Sequence, residues 1–226
     1  MKALIFDSST IITLALNNLL WILKPLKEKY KGEFYITQEI KEEIIDVPIK
    51  IKKFKLEAIQ IQEIIDQGIF KIYPEHIQEK EQKLKNLANQ IFFVKGQFMP
   101  IIDRGELSAL VLAKEINADG VLIDERTTRL IIENPELLAN IFRHKLHTKI
   151  KINEKNLQQF SEDYSNLKVF RSTELNLIAY ELGILDKYTK SKTIDKKEMI
   201  EGIIWGMRFK GCSISDDEIS EILKTI

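Results

Sequence analysis

Read as apolar and polar positions, the chain alternates short hydrophobic runs with longer stretches of helical period. The runs ALIF (3–6), EFYIT (33–37), IFKIYP (69–74), GVLID (120–124) and LKVF (167–170) have the length of strands. Between them lie helical patterns. Residues 10–30 form one long helix or two short ones broken near Pro25. QEIKEEIID is capped by Thr37 and ended by Pro48, and KKFKLEAIQIQEIID is closed by Gly68. A charged stretch over 75–93 reads as a solvated helix, and DRGELSALVLAKEI as a strong one. ERTTRLIIE follows the fourth strand; STELNLIAYELGI, DKKEMIEGIIWGMRF and SDDEISEILKTI follow the fifth. Strands alternating with helices predict an α/β domain with a mostly parallel sheet.

Composition narrows this picture. The 226 residues are 44% hydrophobic, enough to fill a sizeable core, and 34 basic side chains balance 34 acidic ones. A zero net charge removes the general basic field of many nucleic-acid binders and leaves only local patches to do that work. One cysteine, Cys212, permits neither an intramolecular disulfide nor a cysteine-based zinc site. IITLALNNLLWILK is apolar but is interrupted by Asn17 and Asn18 and is too short for a membrane span. No charged-then-apolar leader is recognisable, so a cytoplasmic location is expected.

The chemistry lies in the acids. In an open parallel sheet, ligands bind outside the carboxyl ends of the strands. Asp7 ends the first strand and Asp124 the fourth, with Glu125 beside it. Glu106 sits in the first turn of the preceding helix, and Glu39, Glu42 and Glu43 lie on the helix after EFYIT. Each has an ordinary structural use: Asp7, Ser8 or Ser9 as a helix cap, Asp103 and Glu106 as a capping box, Asp124 at a helix N-terminus, and the glutamates as solvated positions. Jointly, carboxylates from several elements at one rim would repel without a cation between them. All-oxygen ligands suit Mg²⁺ or Mn²⁺, and carboxylate-held metal pairs cleave phosphodiesters.

At these residues the chain resembles the PIN domain family of metal-dependent nucleases. IFDSSTIITLA is similar to the family's opening strand, acid and helix. YITQEIKEEI matches its second-acid motif with Glu43, with Glu39 and Glu42 as near misses. IIDRGELSALVLAKE resembles an Asp-x-Gly-Glu motif of a prokaryotic branch with Glu106, and VLIDERTTR its Ile-Asp-Asp/Glu-Arg motif with Asp124. The tail is similar to the same branch more loosely: Arg171-Ser172-Thr173-Glu174 stands where Gly-Thr-Leu-Gly is usual, with Ser172 at the threonine position.

The resemblance implies a three-layer α/β/α fold. It divides the chain into a core over 1–136, a partly basic insertion over 137–166, and a closing strand with C-terminal helices over 167–226. It also implies an endoribonuclease in which Asp7, Glu43, Glu106 and Asp124 hold one or two Mg²⁺ or Mn²⁺ ions. Ser8, Ser9, Asp103, Glu125 and Ser172 would support them from behind. Arg126, Arg129, Arg143, Lys145, Lys149 and Arg171 are the expected RNA contacts. Arg143 to Lys155, with His144 and His147, reads as a hydrated basic loop. Partners implied are RNA, a small antitoxin if the chain is a toxin, and a second copy in a homodimer. A PIN fold that binds RNA without cutting it is the rival reading. A haloacid-dehalogenase-type phosphatase also begins strand-then-Asp, but it needs Asp-x-Asp and Ser9 stands at the second position.

Overall fold

The computed structural model describes residues 2–74, 77–190 and 193–226. Its centre is a five-stranded parallel sheet in the order β3-β2-β1-β6-β8. These are β1 Ala3–Phe6, β2 Glu33–Ile36, β3 Phe70–Ile72, β6 Gly120–Leu122 and β8 Val169–Phe170, the five strands expected from the apolar runs. Helices flank the sheet, giving the three-layer α/β/α arrangement. Phe6, Phe34 and Phe70 come from three adjacent strands and pack with centroids 4.9 Å apart for Phe6–Phe34 and for Phe6–Phe70. Burying large apolar side chains of this kind is the main driving force for the fold.

The register decides where function can sit. Ile5 pairs with Val121 and Phe6 with Leu122, and the Asp7 amide continues the ladder to the Leu122 carbonyl at 2.9 Å. Asp7 and Asp124 therefore leave the carboxyl ends of neighbouring strands, at the edge where parallel sheets bind ligands.

The first helical stretch is interrupted, but at Asn17 and Asn18 rather than at Pro25. Helix α1 spans Ser8–Leu16, Asn18 takes the left-handed conformation (φ 56°), and α2 spans Leu23–Tyr30. Pro25 falls in the first turn of α2, where its missing N–H costs nothing. Helix α3, Gln38–Lys41, is capped by Thr37 and widens into a π turn over Glu42–Asp46. Helix α4 is Lys55–Asp66 and α5 is Gln78–Ala88.

The charged stretch over 75–93 is a helix only as far as α5; Glu75 and His76 lie outside the described residues. Its end becomes β4, Phe92–Val94, which pairs antiparallel with β5, Gln97–Phe98, across Lys95 and Gly96. Both turn residues have positive φ (50° and 92°), as a tight hairpin requires.

Helix α6 is Arg104–Glu115 and α7 Arg126–Glu133. Residues 143–155 are not a basic loop. Helix α8, Pro135–Leu146, runs to a left-handed His147, and β7, Lys151–Ile152, pairs with β4 before α9, Glu154–Tyr164. The chain closes with α10 Ser172–Glu181, α11 Lys196–Phe209 and α12 Asp216–Thr225. Among the described residues no single helix is long and apolar enough to cross a membrane.

Candidate active site

Asp7 performs two tasks with two oxygens. As the cap of α1, its Oδ2 accepts the Ser9 amide at 3.0 Å and the Ser9 hydroxyl at 2.5 Å. Its Oδ1 is buried without a hydrogen-bond partner. An unpaired buried carboxylate oxygen is costly. Burial chiefly, with the Glu43 charge adding to it, pushes the Asp7 carboxyl up to about 6, against the pull of the Ser9 and Ser8 groups.

Gly105 shows how closely the next acid approaches. A Cβ at that position would lie 2.6 Å from Glu43 Oε2 and 3.5 Å from Asp7 Oδ1. Two carboxylates from different elements thus converge over one glycine, whose bare Cα leaves them room. The π turn selects Glu43: Glu39 and Glu42 reach the Arg104 guanidinium at 3.5 Å each, while Glu43 is released toward Gly105. Such single-turn widenings recur at functional sites. The Thr37 and Ser108 hydroxyls, 2.7 Å apart, tie the start of α3 to α6 and hold this arrangement.

Glu106 follows Gly105 on α6. Its Oε2 accepts the Asp103 amide at 2.8 Å, the glutamate half of a capping box. Burial and then the Asp7 charge push its carboxyl up to about 8. Asp7 thus interacts unfavourably with both Glu43 and Glu106, a repulsion that a cation would relieve.

Asp124 is placed otherwise. It is fully buried, and its carboxylate is taken up by the protein: Oδ1 accepts the Ser172 amide at 2.6 Å and the Thr10 hydroxyl at 3.3 Å, while Oδ2 accepts the Ser172 hydroxyl at 2.7 Å. The Asp124 amide donates to Ser9 Oγ at 3.0 Å, the same hydroxyl that donates to Asp7. Asp124 reaches Asp7 through Ser9 rather than by sharing its open side. Its charge also helps burial push the Cys212 thiol up to about 12.

The supporting and basic residues divide. Asp103 contributes its amide to Glu106, and Glu125 caps α7 by accepting the Thr127 and Thr128 amides. Arg126 is exposed beside it. Arg129 pairs with Glu133 at 3.1 Å. Arg143 and Lys145 are exposed on α8 and Lys149 just beyond it. Arg171 is not available to RNA: it is 8% exposed and its guanidinium binds Glu174 at 2.5 Å and Glu218 at 2.8 Å. Those two acids occupy the donors that a phosphate would need. Sequence reasoning passed over Thr10, one helical turn beyond Asp7, and the reason for glycine at 105.

A family model described as a PIN domain matches residues 3–138. The chain belongs to the PIN domain family. This PIN domain carries the nuclease-like fold of a family whose members are generally nucleases and typically bind divalent metals. No curated protein and no solved structure matches the chain.

A divalent metal is thus implied, and the PIN acids can be tested against it. Among the described residues, no group of three or more His, Cys, Asp or Glu side chains is placed, as it stands, to hold a metal ion. Yet Asp7 Oδ1 is buried and unpartnered, Glu43 Oε2 leans over the same glycine, and burial, with the Asp7 charge adding to it, holds the Glu106 carboxyl up. An oxygen-only, mutually repelling set of this kind fits Mg²⁺ or Mn²⁺.

Proposed function

We propose that this PIN domain is a metal-dependent endoribonuclease whose reactive centre is formed by Asp7, Glu43 and Glu106. The observation that carries the proposal is the buried, unpartnered Asp7 Oδ1 set against Glu43 Oε2 at Gly105. Asp7, Glu43 and Glu106 would hold the ion. When bound, a divalent ion supplies neutralisation of phosphate charge and an activated water.

The chain's own residues supply the rest. Ser9 fixes the Asp7 rotamer by donating to Oδ2, which leaves Oδ1 on the side of Gly105 and Glu43. Asp124 fixes Ser9 through its amide, and Ser172 and Thr10 lock Asp124 in turn. Such supporting hydrogen bonds hold an ion's ligands in one orientation. Arg126, exposed one residue past the Glu125 cap and two past Asp124, would draw the RNA backbone toward the strand-end acids. Arg143, Lys145 and Lys149 are proposed to extend that contact.

The test is cleavage of a mixed, labelled RNA pool with Mg²⁺, Mn²⁺ or EDTA, comparing wild type with Asp7→Asn and Asp124→Asn. Metal-dependent cutting lost in both variants supports the reading. Equal cutting by wild type and Asp7→Asn would trace the activity to a contaminant. Binding of RNA without cutting by any form would leave a non-catalytic PIN module.

A further inference from the structure

Beside the acid rim lies a second feature that the proposed chemistry does not use. A cavity of about 450 Å³ opens between α5 and α6, lined by Gln78, Glu81, Lys85, Asn89, Asp103 and Arg104 among others. That volume falls in the range of small-molecule sites. Two of its lining residues, Asp103 and Arg104, directly precede Gly105 and Glu106 on the chain, so the cavity shares a chain segment with the acid rim.

Glu81 is the unexpected member. It is 8% exposed, and its Oε1 is buried with no hydrogen-bond partner. The middle of a charged surface helix is an expensive place for an unsatisfied carboxylate. Burial, with the nearby Glu39 charge, pushes its carboxyl up to about 7, while Arg104 pulls it down. Glu39 is itself occupied by Arg104, whose guanidinium also meets Glu42 and is otherwise exposed. The cavity therefore has in its lining an unpartnered acceptor, buried while the cavity is empty, together with two cations, Arg104 and Lys85.

Resting on the nuclease reading, we infer that this cavity is a nucleobase subsite in which the Glu81 carboxylate reads the Watson–Crick edge of guanine in single-stranded RNA. A carboxylate is an acceptor with two parallel oxygens. Guanine alone of the four bases presents two adjacent N–H donors, N1–H and the N2 amino group, on that edge. Uracil presents one N–H between two carbonyls, which a carboxylate repels; adenine and cytosine each present an amino group beside a bare ring nitrogen. Single-stranded RNA is commonly read by splaying out a base and bonding this edge. Arg104 and Lys85 would meet the flanking phosphates.

The test separates binding from cutting. Fluorescence anisotropy in EDTA measures the affinity of short labelled oligouridylates carrying one central guanosine, inosine, adenosine or cytidine. Wild type should bind the guanosine oligomer about tenfold or more tighter than the others. Inosine, which lacks the N2 amino group, should lose most of that advantage. Glu81→Gln and Glu81→Ala should bind all four alike, with melting temperatures showing both variants folded. Arg104→Met should weaken all four equally and keep the ranking. No guanosine preference in wild type, or a preference that survives in both Glu81 variants, overturns the subsite. If wild type cuts RNA with metal but shows no base preference, the subsite alone fails. If it neither binds nor cuts RNA, the nuclease reading fails and the subsite with it.

Discussion

Ser172 binds both carboxylate oxygens of Asp124, its amide on Oδ1 at 2.6 Å and its hydroxyl on Oδ2 at 2.7 Å. The closing strand and α10 are thereby fastened to the end of β6, inside a region sealed from water. Ser9 carries the connection onward to Asp7. Ser172 is thus joined to Asp7 by a chain of hydrogen bonds through Asp124 and Ser9.

Ser172→Ala removes the hydroxyl bond to a buried carboxylate and leaves the amide bond in place. Hydrogen bonds to buried charged groups are worth about 1.5–3 kcal/mol. A loss of stability of that size is expected in urea unfolding. Ser172→Thr, which keeps the hydroxyl, should recover most of it. If Asp124 positions Ser9 as proposed, cleavage by Ser172→Ala should fall with a larger change in kcat than in KM.

Gly105→Ala separates site from scaffold. The new methyl would sit 2.6 Å from Glu43 Oε2, the end of an exposed and flexible side chain that can swing away. Helix propensity favours alanine by up to about 1 kcal/mol, so stability should hold or rise. Metal affinity and cleavage should drop, on the order of 10²-fold for a displacement near 1 Å. Calorimetric titration with Mn²⁺ beside thermal melting gives both readings. An alanine variant with unchanged metal binding would remove Glu43 from the centre.

Metal-free stability should depend on pH through Asp7. Its pKa rises from the ordinary 3.8 to about 6 on folding. Between those values the folded chain keeps a proton that the unfolded chain has released, so stability falls as pH rises from about 4 to 6 and stays reduced above. Glu106, raised to about 8, extends the decline. In EDTA, Asp7→Asn should therefore be more stable than wild type at pH 7, by about 1–3 kcal/mol in urea unfolding, with a flatter pH profile. Saturating Mn²⁺ should stabilise wild type and leave the variant unmoved.

Arg171 predicts a dependence of opposite sign. Hydrogen bonds from the Ser215 amide and hydroxyl, and the Arg171 guanidinium, hold the Glu218 carboxyl down at about 2 against the penalty of partial burial. That stabilisation is complete above the ordinary glutamate pKa of 4.5 and is lost as pH falls through about 2. Glu218→Gln should destabilise the protein at pH 7, and the difference from wild type should shrink across that window. Arg171→Met should be more damaging, because it strands Glu174 as well as Glu218. Neither variant should lose RNA affinity while folded, which a phosphate contact at Arg171 would require.

Period and local chemistry made much of the chain legible. The five apolar runs became the five parallel strands, Thr37 capped α3, and Gly68 closed α4 in a left-handed turn (φ 70°). Strand and helix periods are local properties, and a carboxylate at the end of a buried run marks a rim without reference to distant residues. Other features depended on partners far along the chain. Lys-Gly is a weak hairpin signal, so β4 and β5 took their identity from pairing, including with β7 more than fifty residues on. Pro25 and Asn18 both signal a break, and only packing chose Asn18.

The acids divide in the same way. Their presence near two strand ends and on the neighbouring helices is written along the chain, but their roles are not. Which glutamate faces Asp7 was decided by the π turn at Glu42, and which acid remains unpaired by the hydroxyls that reach it in space. Arg171 reads in sequence as a free cation near the rim; in the fold Glu174 and Glu218 neutralise it. Hydrogen bonding and desolvation are sums over three-dimensional neighbours. A sequence can name the titratable groups, but only their enclosure decides which stay open to a ligand.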